Sequence, residues 1–118
     1  MNRLDGKTAL ISGASRGIGE AAARLMISVG ANVIIGDILK TKGEETAERL
    51  GPNAKFIHLD VTDENDWSNA VDLAVDQFGG LDILVNNAGL FLGRDFSDIS
   101  LDDWNRLANV NMTGVWLG

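Results

Sequence analysis

The chain has no cysteine and no tyrosine, and only one proline and one histidine in 118 residues. Without cysteine there are no disulfides and no thiolate metal sites, and the composition fits a reducing cytoplasm. One histidine, with no second His or carboxylate pair at ligand spacing, predicts no metal centre. No apolar run approaches the roughly 20 residues that span a bilayer. Met1 to Gly6 lacks the apolar stretch of a secretory leader. Positive charge is also scarce: Lys and Arg number 10 against 17 Asp and Glu, a formal net charge of −7. That balance argues against nucleic acid or an anionic membrane as a partner. A bound anion must be held by local donors, against the overall field.

Apolar residues make up 45% of the sequence, enough for a modest core in one domain over residues 1–118. Short β-rich runs alternate with helix-period segments, the pattern of a parallel α/β sheet. Strands are predicted at 7–12 (KTALIS), 32–36 (NVIIG), 55–59 (KFIHL) and 81–85 (LDILV). The fourth is apolar enough for burial on both faces. The first helix carries Ile18, Ala21, Ala22, Leu25, Met26 and Val29 at helical spacing and closes at Gly30. A charged helix over 41–50 ends at Gly51-Pro52. Thr62 or Asp63 caps a third helix, with Trp67, Val71, Ala74 and Phe78 as its stripe, and Gly79-Gly80 stops it. Ser100, with Asp103 three residues on, opens a last helix that is still unfinished at Gly118. Right-handed crossovers then give strand order 3-2-1-4 in a Rossmann-type doubly wound sheet, with a switch point between strands 1 and 4.

Ser12 to Gly19 (SGASRGIG) joins the first strand to the first helix and reads as a phosphate-binding turn. Gly13, Gly17 and Gly19 sit where Cβ atoms would obstruct a tight turn, a backbone approach to pyrophosphate, and helix–strand packing. The helix start aims its N–H groups and positive dipole end at the phosphates. Asp37 lies at the next strand end, near the roughly 20-residue spacing expected of a ribose carboxylate. A 2′-phosphate about 4 Å from it would meet repulsion of a few kcal/mol. Arg16 argues the other way, since it can pair with such a phosphate. The residue after Asp37 is Ile38 rather than a second cation, so NAD is expected over NADP.

Asp60 ends the third strand beside Val61; it accepts from an adenine amino group or merely caps a helix. His58 reads as a packed or surface imidazole rather than a base. On the last helix Leu101, Trp104, Ala108 and Val115 form an apolar stripe, and Asn111 falls on it. An amide there needs partners. It either bonds a neighbouring strand's backbone or serves a site by holding a water. Trp104 and Trp116 read as core or subunit-interface packing.

These residues resemble the short-chain dehydrogenase/reductase family. Ser12 to Gly19 matches its TGxxxGxG turn with Ser for Thr, and Asn86-Asn87-Ala88-Gly89 its NNAG motif. Leu59-Asp60-Val61 and Asn109-Val110-Asn111 match two further stretches in the family's order. The resemblance covers the whole chain and is nearest to bacterial secondary-alcohol and hydroxysteroid dehydrogenases. It implies that Gly13, Arg16, Ile18 and Gly19 contact the pyrophosphate side, that Ser15 and Gly17 of the same turn also bind the cofactor, and that Asp37 binds the adenosine ribose. Asp60 and Val61 would flank adenine, and Asn87, Ala88 and Gly89 the nicotinamide half. Asn111 would be the Asn of an Asn-Ser-Tyr-Lys catalytic set, a homotetramer would form through the last helix, and the substrate would be a small alcohol or ketone.

The family's Tyr general acid/base has no counterpart here, and the last lysine is Lys55. The sequence thus corresponds to about the first half of the family's domain, truncated before the remaining strands. Acid/base catalysis is typically worth 10²–10⁴-fold, so the 118-residue chain alone is expected to be inactive and to associate through its open sheet edge. An inactive NAD-binding or redox-sensing half-domain is the alternative function. A methyltransferase shares the Gly-rich turn, but NNAG and Asn111 speak against it.

Overall fold

Four parallel strands, in the computed structural model, lie in the order β3-β2-β1-β4. The structure describes residues 3–118; Met1 and Asn2, the start of the segment read as lacking a leader, lie outside the described residues. β1 is Thr8–Ser12, β2 Asn32–Asp37, β3 Ala54–His58 and β4 Ile83–Val85. This is the Rossmann-type order expected from the sequence, with β4 on the far side of β1 from β2. Helices α1 (Gly17–Ser28), α2 (Lys40–Leu50) and α3 (Glu64–Phe78) make the connections.

Side chains alternate across a strand, so β1 and β2 feed two cores at once. Ala9, Ile11, Val33 and Ile35 pack with Ala23 of α1 and Ala47 of α2 on one face. Leu10 and Ile34 pack with Leu59, Val61, Trp67, Ala70 and Ala74 on the other. Every residue of β1 is buried. The Trp67 indole N–H donates to the Val61 carbonyl at 2.9 Å, which ties α3 to the segment after β3.

Several inward faces differ from the periodic reading. In α1 the buried residues are Gly19 and Ala23, with Ala22, Met26 and Ile27 packed beside them. Ile18 and Leu25 are exposed. In α3 Ala70 takes the place expected of Val71, which is exposed. α3 is capped by Asp63, whose carboxylate accepts from the N–H groups of Asn65 and Asp66. β4 is only three residues long and stands at the sheet edge, so Leu84 is exposed rather than buried on both faces.

The last helix begins with α4 (Leu101–Ala108), passes through one π turn at Asn109–Thr113, and ends in α5 (Gly114–Leu117). Ser100 and Asp103 form a reciprocal capping box. The Ser100 N–H donates to the Asp103 carboxylate and holds its pKa below the ordinary value, helped by Arg94 and Arg106. Val110 and Leu117 pack on the core, and Gly114 is buried. The predicted stripe is therefore turned outward: Leu101, Trp104 and Val115 are exposed, and Trp116 with them. Periodicity finds an apolar face but does not say which neighbour covers it, and the π turn breaks the α-helical phase.

No helix among the described residues is long and apolar enough to cross a membrane. The short β4 edge and the outward α4–α5 face leave apolar surface and unpaired strand groups together. In sedimentation velocity the 118-residue chain is expected to run as a dimer or larger species. A monodisperse monomer stable over days would refute that.

Candidate functional site

The chain leaves β1 at Ser12, turns at Gly13, and enters α1 at Gly17. Gly13 has φ +67, and a Cβ there would stand 2.9 Å from the Ala88 Cα. At Gly19 a Cβ would meet the Gly13 carbonyl oxygen at 2.6 Å and the Ala14 Cα at 2.9 Å. Only glycine at these two positions lets α1, the turn and the segment after β4 approach so closely. Arg16 is the N-cap of α1 in extended conformation, and its side chain makes no capping bond. The helix start thus keeps its dipole end and first-turn N–H groups open to an anion.

The two Gly-containing motifs are bolted together. Ser12 Oγ accepts from the N–H groups of Asn87 and Ala88, at 3.1 and 3.0 Å. In return Asn87 Nδ2 donates to the carbonyls of Ser12 and Gly13, at 3.0 and 3.1 Å. Four bonds therefore fix the segment after β4 to the turn after β1.

Asp37 ends β2 and is 8% exposed. Its Oδ2 accepts from the Ser15 N–H at 3.1 Å and from Ser15 Oγ at 2.6 Å, while Oδ1 accepts from the Leu39 N–H at 3.0 Å. Asp60 caps no helix: its Oδ1 accepts from the Thr62 N–H and hydroxyl, at 2.9 and 2.7 Å. Val61 is buried beside it.

A cleft of about 440 Å³ runs along the carboxyl ends of the strands. It gathers Gly13, Arg16 and Gly17 from the first turn, and Asp37 from β2. Asp60, Val61, Asn87, Ala88 and Gly89 complete the set. Four expected residues lie outside it. Ser15 is fully buried behind the turn, with both of its donors spent on Asp37. Ile18 points to solvent, and Gly19 lies beneath the turn. Asn111 lines a neighbouring apolar groove with Phe91, Phe96, Ile99 and Trp104.

Asn111 grips Leu90 at two points: Oδ1 accepts from its N–H at 2.7 Å, and Nδ2 donates to its carbonyl at 2.8 Å. The partner is thus the loop after β4 rather than a strand. His58 lies on the surface with Nδ1 3.1 Å from Asp66 Oδ2. Among the described residues no group of three or more His, Asp or Glu is placed to hold a metal ion.

Leu39, Leu90 and Arg106 also line the cleft and were missed from the sequence; Ile38, Leu59 and Val110 line it too and were read there only as neighbours of site residues. Ile38 and Leu39 follow directly on Asp37, a readable signal; Arg106 sits on a distant helix and carried none.

Two tests follow from these bonds. Ser12→Ala leaves the Ala88 N–H without its acceptor and the Asn87 N–H with only the Val85 carbonyl, and is expected to cost roughly 1–3 kcal/mol in denaturant unfolding. Ser12→Thr keeps the hydroxyl and should retain most of that stability. Asn111→Ala releases Leu90 and is expected to speed amide hydrogen exchange over residues 90–99 while leaving β1 and β2 protected. Unchanged exchange there would show that other contacts hold the loop.

A family model described as short chain dehydrogenase matches residues 7–118. A 3-alpha-(or 20-beta)-hydroxysteroid dehydrogenase of Mycobacterium tuberculosis is 48% identical over 116 residues, covering 98% of this chain and 45% of that protein. The trans-4-hydroxycyclohexanecarboxylate dehydrogenase of Sinomonas cyclohexanicum is 43% identical over 126 residues, covering 99% of this chain and 49% of its own. A crystal structure of 3-ketoacyl-(acyl-carrier-protein) reductase from Brucella melitensis, complexed with NADH, superposes with TM-score 0.92. It is 38% identical and covers 97% of this chain and 48% of that one. The chain spans about half the length of the relatives it matches. The glycine turn, the locked second motif and the strand order all fall inside the matched residues, and the chain belongs to the short chain dehydrogenase family.

Proposed function

We propose that this chain is the cofactor-holding part of an oxidoreductase that works with NAD(H) on a secondary alcohol or ketone. One observation carries the reading: a single cleft joins the uncapped start of α1 to the Asp37 carboxylate at the end of β2. The residues suit the group. An open helix start accepts pyrophosphate, and a carboxylate at that strand end accepts from ribose hydroxyls. The names of the similar proteins, a hydroxysteroid dehydrogenase, a hydroxycyclohexanecarboxylate dehydrogenase and a reductase complexed with NADH, support the same chemistry.

When bound, NAD(H) supplies the hydride-transfer chemistry. The chain's own residues bind and orient. Gly13, Arg16 and Gly17 hold the pyrophosphate, with Gly19 giving α1 its close seat and Ile18 offering its first-turn backbone N–H. Ser15 acts behind Asp37. Asp60 and Val61 flank adenine, with Asp60 Oδ2 left as acceptor because Oδ1 is taken by Thr62. Asn87, Ala88 and Gly89 line the nicotinamide side. Asn111 spends one N–H and one lone pair on Leu90 and keeps one of each, enough to hold a water.

The outward face carrying Leu101, Trp104 and Trp116 suits a homotetramer interface. A cysteine-free chain suits a reducing cytoplasm.

NADH is expected to bind this chain more tightly than NADPH, read from the nicotinamide fluorescence, with no ketone reduction. Asp37→Ala is expected to narrow that preference about tenfold or more, since it removes the charge that repels a 2′-phosphate. Equal shifts in both affinities would remove Asp37 from the ribose site. No binding of either nucleotide would overturn the reading.

A further inference from the structure

We propose that Ser15 and Thr46 are positioning residues that fix the Asp37 carboxylate and thereby set the preference for NAD over NADP. The inference rests on Asp37 as the ribose acceptor. It starts from a buried network that the cleft itself does not use.

Ser15 is fully buried, yet its hydroxyl donates to Asp37 Oδ2 at 2.6 Å and its N–H donates to the same oxygen at 3.1 Å. A hydroxyl on a carboxylate at that distance is a charge-assisted bond, among the stronger kinds. Thr46, from α2 and also fully buried, donates its hydroxyl to the Ser15 carbonyl at 2.6 Å. Its oxygen in turn lies 3.4 Å from Arg49 Nη2, and Arg49 pairs with Glu20 of α1. One line of bonds therefore runs from α1 and α2 through the phosphate turn to the end of β2.

The consequence lies in acceptor counting. A carboxylate offers about four acceptor sites, and three are taken, two by Ser15 on Oδ2 and one by Leu39 on Oδ1. A sugar hydroxyl must be received at the remaining site on Oδ1. The group cannot turn away without breaking both Ser15 bonds. A 2′-phosphate brings charge and further acceptors to that spot, and the clamp denies the carboxylate its retreat. Removing the Ser15 hydroxyl takes away the shorter of the two bonds on Oδ2 and leaves backbone N–H groups alone to hold Asp37, so the carboxylate moves aside at lower cost, with Arg16 in the same cleft ready to pair with the phosphate.

The test uses the full 118-residue chain. Dissociation constants for NADH and for NADPH are measured by fluorescence in the parent protein, Ser15→Ala, Thr46→Val, Thr46→Ser, Asp37→Ala and the Ser15→Ala/Asp37→Ala double variant. Circular dichroism melts check that each folds. Ser15→Ala is expected to narrow the NADH-to-NADPH affinity ratio about tenfold, the scale of one bond to a charged group. Thr46→Val is expected to narrow it about threefold, while Thr46→Ser keeps the hydroxyl and the ratio. In the Asp37→Ala background, Ser15→Ala should add nothing.

If Ser15→Ala does not fold, the Thr46→Val and Thr46→Ser pair reads the same ratio. If Asp37→Ala collapses the preference but Ser15→Ala and Thr46→Val leave it within twofold, the positioning role is overturned and the ribose reading stands. An equal Ser15→Ala effect with and without Asp37 also overturns it, because Ser15 then acts by another route. If Asp37→Ala itself leaves the ratio unchanged, the ribose reading fails and takes this inference with it.

Discussion

The reciprocal exchange between Ser12 and Asn87 is the constraint on which the site depends. β1 and β4 are neighbours in the sheet but lie far apart in sequence, and each ends in an irregular segment. Backbone N–H groups there have no ladder partner: Asn87 has one local bond, to the Val85 carbonyl, and Ala88 relies on a side chain. Ser12 Oγ takes two of them, and the Asn87 amide satisfies two carbonyls on the other side. Gly19 completes the lock by its lack of a side chain, because any Cβ would collide with the turn and with Asn87. Local chain geometry and the shape of the cleft are thus one problem with one solution.

The electrostatics of the cleft run against those of the protein. With a net charge of −7, the general field repels a dinucleotide. Attraction comes from a short list of local sources: the open start of α1, Arg16 beside it and Arg106 across the cleft. Asp37 and Asp60 stand in the same cleft as acceptors. A site built this way discriminates by where each charge sits, and the hydrogen bonds that hold those charges matter as much as their sign.

Much of this was legible in the sequence because spacing and residue type determine it. Gly13, Gly17 and Gly19 after an apolar run, and Asp37 at the next strand end, specify a turn, a helix start and a carboxylate at one sheet edge. The strand order came with the doubly wound pattern, in which the chain returns to the far side of β1 after β3. Faces were less legible. Val71 and Ala70 both satisfy a helical stripe, and only the path of α3 over Leu10 and Ile34 puts Ala70 inside. The last helix offers two apolar faces, and packing on Val61 selects Val110, Gly114 and Leu117 over Leu101, Trp104 and Val115. Ser15 looked like a ligand contact because it lies within the phosphate turn. Its side chain turns the other way, a fact held by the partner on β2 and by no local pattern.

The sheet order also dictates an order of assembly. β2 and β3 can join β1 as soon as the chain reaches His58, but the other side of β1 must wait for β4. Ala9 pairs with Ile83, far along the chain, so that edge stays open until β4 has emerged. During synthesis β1, the strand that ends up buried along its whole length, stands with one row of backbone groups bare. Long-range parallel pairing of this kind is slow to form, and the newly made chain is at its most adhesive in that interval.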